Sequence, residues 1–140
     1  PMVTTLKGNK LIQASLRKYL IKWDEPSCSK GQTKTKKKLF QWWSKDLMVC
    51  EEYRISGSLL RLDFVNFQRK VIIEFSGIQH FCPTPFFHKS PLDFVASIKR
   101  DLLKRSWAEK NFMAFVELVD EDLPILTPEY IKLKFGVDIK

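Results

Sequence analysis

Two runs of branched and aromatic residues, 59–65 (LLRLDFV) and 70–75 (KVIIEF), flank Asn66-Phe67-Gln68-Arg69, the only turn-like break between them. They read as the two strands of a hairpin. Because strand side chains alternate, Arg61, Asp63 and Val65 are expected on one face and Leu60, Leu62 and Phe64 on the other. With Gln68 and Arg69 as the loop, Asp63 stands opposite Glu74. Directly opposed side chains have Cβ atoms about 4.5–5.5 Å apart, close enough for two carboxylates to hold one hard divalent cation. Gly77 then permits a sharp exit from the strand, and Gln79-His80 follow with polar heads able to turn back to the same place.

Around this hairpin the pattern predicts an ordered series of elements. Asn9 is expected to cap a helix to about Trp23, with Ile12, Leu16, Tyr19, Leu20 and Trp23 on one stripe. A second helix is expected from about Thr33 to Ser44, burying Leu39, Phe40 and Trp43 and turning its lysines outward. Residues 47–56 read as a strand closed by the turn at Gly57-Ser58. Ser90 and Pro91 open a helix to about Lys110, whose packed side is expected to be Phe94, Val95, Ile98, Leu102 and Leu103. Residues 112–119 form the next strand, and Thr127-Pro128 starts a short helix to Phe135. The fold class is therefore α/β (α+β), with a mixed central sheet flanked by helices and an extra N-terminal helix. Residues 1–30 are expected to be a basic helical extension and residues 31–140 one compact domain.

Charge is distributed unevenly. Residues 1–50 carry 11 Lys or Arg against 3 Asp or Glu, a net of +8, whereas residues 51–140 carry 13 of each. A basic surface beside a carboxylate site suits a phosphodiester substrate, since each neutralised phosphate releases counterions. Lys30, Lys34, Lys36, Lys37 and Lys38, with Arg61, Arg100 and Lys104, are the candidate nucleic-acid contacts. No apolar run reaches the 18 or more residues of a bilayer span, no signal peptide is evident, and Pro1-Met2 looks like a tag scar. The expected partners thus exclude a membrane. With 3 cysteines and no C-x-x-C spacing, neither a zinc site nor a disulfide framework is expected, and the compartment is read as reducing. No glycine-rich phosphate loop suggests an NTPase.

The run I-E-F-x-G-I-Q-H-F at 73–81, preceded by Arg61-x-Asp63-Phe64 and followed by Arg100-Asp101-x-x-Lys104, resembles the very-short-patch-repair-like branch of the PD-(D/E)XK nucleases, which also includes phage homing endonucleases. The resemblance covers roughly residues 30–118. It implies a restriction-endonuclease-like αβββαβ core and a Mg²⁺- (or Mn²⁺-) dependent endonuclease acting on DNA in a bacterial or phage-infected cytoplasm. It implies Asp63 as principal metal ligand, Glu74 as second ligand, His80 as the residue that positions or activates water, Gln79 as a hydrogen-bond donor to water or phosphate, and Asp101 as a helix-borne acid facing the site. Three positions depart from the family pattern. Leu62 stands where a proline is common, Ser76 where the signature has lysine, and the helix glutamate has no counterpart, Gln32 being nearest. A non-catalytic nucleic-acid-binding protein on a degenerate nuclease core, and a ribonuclease or structure-specific nuclease, are the alternative readings. So short a chain is expected to need a homodimer or another partner to recognise a long site.

Overall fold

In a computed structural model, the described residues are 2–12, 16–76 and 91–140. Helix α1 (Lys30–Trp43) starts where Ser29, in extended conformation, accepts the Gln32 N–H through its hydroxyl at 3.1 Å. Strands β3 (Val49–Arg54), β4 (Arg61–Asn66) and β5 (Val71–Phe75) follow, then helix α2 (Pro91–Lys110), strand β6 (Ala114–Leu118) and helix α3 (Pro128–Phe135). α3 is capped by the Thr127 hydroxyl and ends on Gly136 in the left-handed conformation. The sheet order is β3-β4-β5-β6, antiparallel except for the parallel pair β5-β6, whose direction requires the crossover that α2 provides. The order helix, three strands, helix, strand agrees with the sequence pattern.

Two apolar clusters cover the sheet. One joins Leu39 and Trp43 of α1 and Ile131 of α3 to Phe64, Ile73, Val116 and Leu118. The other joins Trp107 and Ala108 of α2 to Cys50, Tyr53, Leu62, Val65 and Ile72. Each fully buried large side chain contributes about 1.5–3 kcal/mol relative to exposure. Gly31 is needed where α1 meets the sheet, because a Cβ there would lie 1.9 Å from the Phe75 ring.

Several expectations need correction. Where a helix from Asn9 to Trp23 was expected, the described residues contain strand β2 (Lys10–Ile12), antiparallel to β1 (Met2–Thr4), and a 3-10 turn at Arg17–Tyr19. The hairpin closes because Gly8 takes φ +88° and Asn9 caps nothing, its carbonyl accepting the Thr5 N–H instead. This hairpin is bound to the rest of the fold. Asn111, at the end of α2, accepts the Thr4 N–H at 2.6 Å and donates to the Thr4 carbonyl at 2.9 Å.

Strict alternation also fails. Leu62 and Phe64 pack in opposite clusters, and the side chains on either side of Glu52, whose φ is +53°, turn to opposite helices. Glu51 turns to Gln32 and Lys36 on α1, while Tyr53 packs at 5.7 Å from the Trp107 ring on α2. A left-handed residue inside β3 rotates the strand by about one face at that point. On α2, Val95, Ile98, Leu102 and Leu103 are 43–60% exposed rather than packed, the inner side being made by Trp107, Ala108 and Lys104. The side chain of Phe94 lies outside the described residues. Cys50 is buried and free, and burial pushes its thiol up to about 12. Cys28 is disulfide-bonded, unlike the unbridged chain that the cysteine count suggested. Among the described residues no helix is long and apolar enough to cross a membrane.

Candidate active site

The register Asn66↔Val71, Val65↔Ile72, Phe64↔Ile73, continued by one residue, sets Asp63 opposite Glu74 as the hairpin pattern required. At this step the carboxylates enter the ladder themselves. Asp63 N–H donates to Glu74 Oε2 at 2.6 Å, and Phe75 N–H donates to Asp63 Oδ2 at 2.8 Å. Each acid is therefore anchored by a backbone amide of the facing strand, so neither side chain is free to swing away from the other.

Lys104 reaches this pair from the α2 crossover, its Nζ 2.7 Å from Glu74 Oε1. Glu74 is 6% exposed and Asp63 is half-buried. Burial, then the neighbouring Glu74, push the Asp63 carboxyl well above the usual aspartate range; the Phe75 N–H and Lys104 oppose this, and Glu52 adds to it. Lys104 is itself raised: burial pulls it down, but Glu74, Asp63 and Asp101 hold the proton on. One ammonium thus faces more than one carboxylate.

Further acids adjoin the pair. The parallel register puts Glu117 of β6 beside Glu74. Burial and Asp101 raise its carboxyl, while Arg105 at 3.5 Å pulls the other way. The register of β3 with β4 brackets Glu52 between Glu51↔Phe64 and Tyr53↔Leu62, which sets it across from Asp63. Gln32, 4% exposed, donates to Glu52 Oε1 at 3.0 Å and to Glu51 Oε2 at 2.9 Å, and so fixes this edge of the site from α1. A non-glycine residue at positive φ costs on the order of 1 kcal/mol or more, and such strain clusters at functional positions.

The remaining candidates fall in different places. Asp101 bonds Arg105 at 3.1 Å and lies next to Glu117, half-buried, so it joins the acidic group from the side. Lys104, a candidate nucleic-acid contact, is ion-paired with Glu74. Lys36 is corrected: it is 3% exposed, with Nζ 2.8 Å from Glu51 Oε1 and 2.7 Å from the Glu25 carbonyl, because its position on α1 faces the sheet. Lys30, Lys34, Lys37, Arg61 and Arg100 are exposed and Lys38 is half-buried. Gln79 and His80 lie outside the described residues.

Glu52, Glu117 and Arg105 were not singled out from the sequence. Glu117 had a signal, being the one charge in the apolar strand FMAFVELV. Glu52 had none, since its facing depends on a backbone twist.

Among the described residues no three His, Cys, Asp or Glu side chains converge as a ready metal cage. The donor set nevertheless fits magnesium, an ion commonly held by one or two carboxylates together with waters and phosphates: two opposed hard oxygen ligands whose like charges the single Lys104 ammonium only partly offsets. Asp63 and Glu74 would hold it. No protein family, curated protein or solved structure matches the chain.

Proposed function

We propose that this protein is a Mg²⁺- or Mn²⁺-dependent endodeoxyribonuclease that hydrolyses phosphodiester bonds at the Asp63–Glu74 pair. The observation that carries the reading is that pair in direct register, locked by backbone amides, with Lys104 at 2.7 Å from Glu74. Two acids and one ammonium at a strand exit are what charge-stabilised hydrolysis of a phosphodiester requires. The resemblance to the PD-(D/E)XK nucleases supports it, and so does the element order, with its parallel β5-β6 pair at the acids. Ser76 leaves the signature lysine position without a cation, and Lys104 supplies one from the helix.

When bound, the metal polarises the scissile phosphate and acidifies a water. The chain's own residues do the rest. Asp63 and Glu74 keep two carboxyl groups at a fixed separation, a place that a phosphate enters favourably only with a cation. Lys104 leaves Glu74 for a phosphate oxygen as charge develops there. Gln79 and His80 are the proposed groups that orient the water or accept its proton, and Asp101, through Arg105 and Glu117, holds the helix side of the site in place.

Supercoiled plasmid incubated with Mg²⁺ or Mn²⁺, against EDTA, tests this directly. Nicked or linear product that needs the metal is expected; an intact plasmid with both ions, together with intact branched DNA and RNA, would remove the nuclease reading. One observation favours the second reading, a nucleic-acid-binding protein that does not cleave: the absence of a third converging ligand among the described residues. DNA binding without cleavage in the same assay would select it.

A further inference from the structure

Helix α1 divides its charge between two faces. Gly31, Gln32, Thr35, Lys36, Leu39 and Trp43 are buried, forming the stripe that faces the sheet and the acids. Lys34, Lys37, Lys38 and Gln41 follow the i, i+3, i+4, i+7 spacing and form the opposite stripe. With Leu123 and Pro124, from the 3-10 segment Asp120–Ile125, they line an open groove of about 330 Å³. None of these three lysines takes part in an ion pair among the described residues. The buried acid next to Leu123 in sequence, Asp122, is already matched by Lys134 at 2.5 Å and by Tyr130.

We propose that this groove binds the phosphate backbone of nucleic acid flanking the cleaved bond, on the side of α1 away from Asp63 and Glu74. The proposal rests on the nuclease reading for the position of that bond. The groove is open and its floor is apolar, so it suits a track along which lysine stems lie while their ammonium groups reach a polyanion, rather than a closed anion pocket. Lys34 and Lys38 are separated by about 6 Å along the helix, close to the rise of two nucleotides of a duplex. The excess of 8 positive charges in residues 1–50 complements such a strand. A helix is about 10–12 Å across, so the contact falls at least about three nucleotides from the acids and makes affinity depend on substrate length.

The test measures binding in EDTA to duplexes of about one helical turn and about three turns by fluorescence anisotropy, across salt concentrations. The protein is compared with the Lys34→Gln/Lys37→Gln/Lys38→Gln variant and, should that variant melt early, with Lys34→Gln/Lys37→Gln, both exposed positions. The long duplex is expected to lose roughly tenfold or more in affinity, with a salt slope lower by about two to three, while the short duplex changes little. Unchanged affinity and slope on the long duplex, or an equal loss on both lengths, overturns the groove and leaves the nuclease reading standing. A lysine-dependent loss seen only on phosphatidylserine vesicles also overturns it, assigning the face to a membrane surface. Length-dependent loss in a protein that cuts no plasmid keeps the groove and removes the nuclease.

Discussion

Asp63 and Asp122 are both aspartates withdrawn from water, and the fold treats them in opposite ways. Asp122 is 0% exposed, yet it meets the Lys134 ammonium, the Tyr130 hydroxyl and the Val119 N–H. Burial raises its carboxyl, but those three partners outweigh burial and hold it below the usual value of 3.8. Asp63 accepts one backbone N–H and faces Glu74 and Glu52, with the Lys104 ammonium paired to Glu74 rather than to it, and is held well above 3.8. The first arrangement is closed: both carboxylate oxygens have donors, one of them an ammonium that balances the charge. The second is left unbalanced in a position fixed by the sheet, which is the condition under which a cation and a phosphate gain most by arriving.

The largest effect that would break this comparison is expected at Asp63. Asp63→Ala should lower Mg²⁺-dependent cleavage by about 10³-fold or more, the several kcal/mol a metal contributes to the transition state, while DNA binding holds or strengthens and the melting temperature in EDTA does not fall. Full activity would make Asp63 a second Asp122. Lys104→Met keeps the length of the side chain and removes its charge; single-turnover rates should fall by about 10²-fold with binding of duplex little changed. A rate that stays at the wild-type level would leave Lys104 a structural ion pair. At the closed site the reverse is expected. Asp122→Ala leaves the Tyr130 hydroxyl, the Lys134 ammonium and the Val119 N–H without their shared acceptor and should lower the urea midpoint, by less than the loss of a fully buried pair because Lys134 is 43% exposed. The folded fraction of that variant should cleave at the normal rate.

The carboxylate pair was legible in the sequence because it depends on local rules: the turn is four residues, 67–70, rather than the expected two, but it keeps the same register, which sets Asp63 opposite Glu74. Thr127 and Pro91 likewise mark helix starts with nearby chemistry, whereas α1 begins three residues before the expected Thr33, at a cap, Ser29, that was not singled out. What was misread depends on distant partners. The stripe from Ile12 to Trp23 matches a helix period, but Gly8 and pairing with β1 decide a hairpin. The apolar stripe of α2 was assigned to the interior, as an apolar stripe normally is. Instead Trp107 and Ala108, with Lys104 drawn in by Glu74, form the inner side. Whether Lys36 or Lys34 faces the acids is a matter of helix phase, and the run of lysines alone does not set that phase. Glu117 enters the site only because β6 pairs with β5 in parallel, a contact across 43 positions of sequence.

The smallest effect, and the sharpest on the contrast itself, is in pH. A carboxyl held low in the folded state contributes stability that is fully present above its unfolded value and is lost as pH falls through the range below about 3.8; this is the case for Asp122, and for Asp46, which Arg69 holds low by its hydrogen bond. A carboxyl held high has the opposite sign. The contribution of Asp63 is fully present below 3.8 and is lost as pH rises from there through its folded value, because the folded protein binds the proton more tightly than the unfolded chain does. Urea midpoints measured in EDTA across mildly acidic pH should therefore separate two variants. Asp122→Asn should flatten the loss on the acid side of 3.8, and Asp63→Asn should flatten the decline above it. Saturating Mg²⁺ should also cancel that decline in the unsubstituted protein, since a bound cation favours the ionised acid. An Asp63→Asn profile running parallel to the unsubstituted one would mean that the pair is as well compensated as Asp122, and the contrast on which the site assignment depends would be gone.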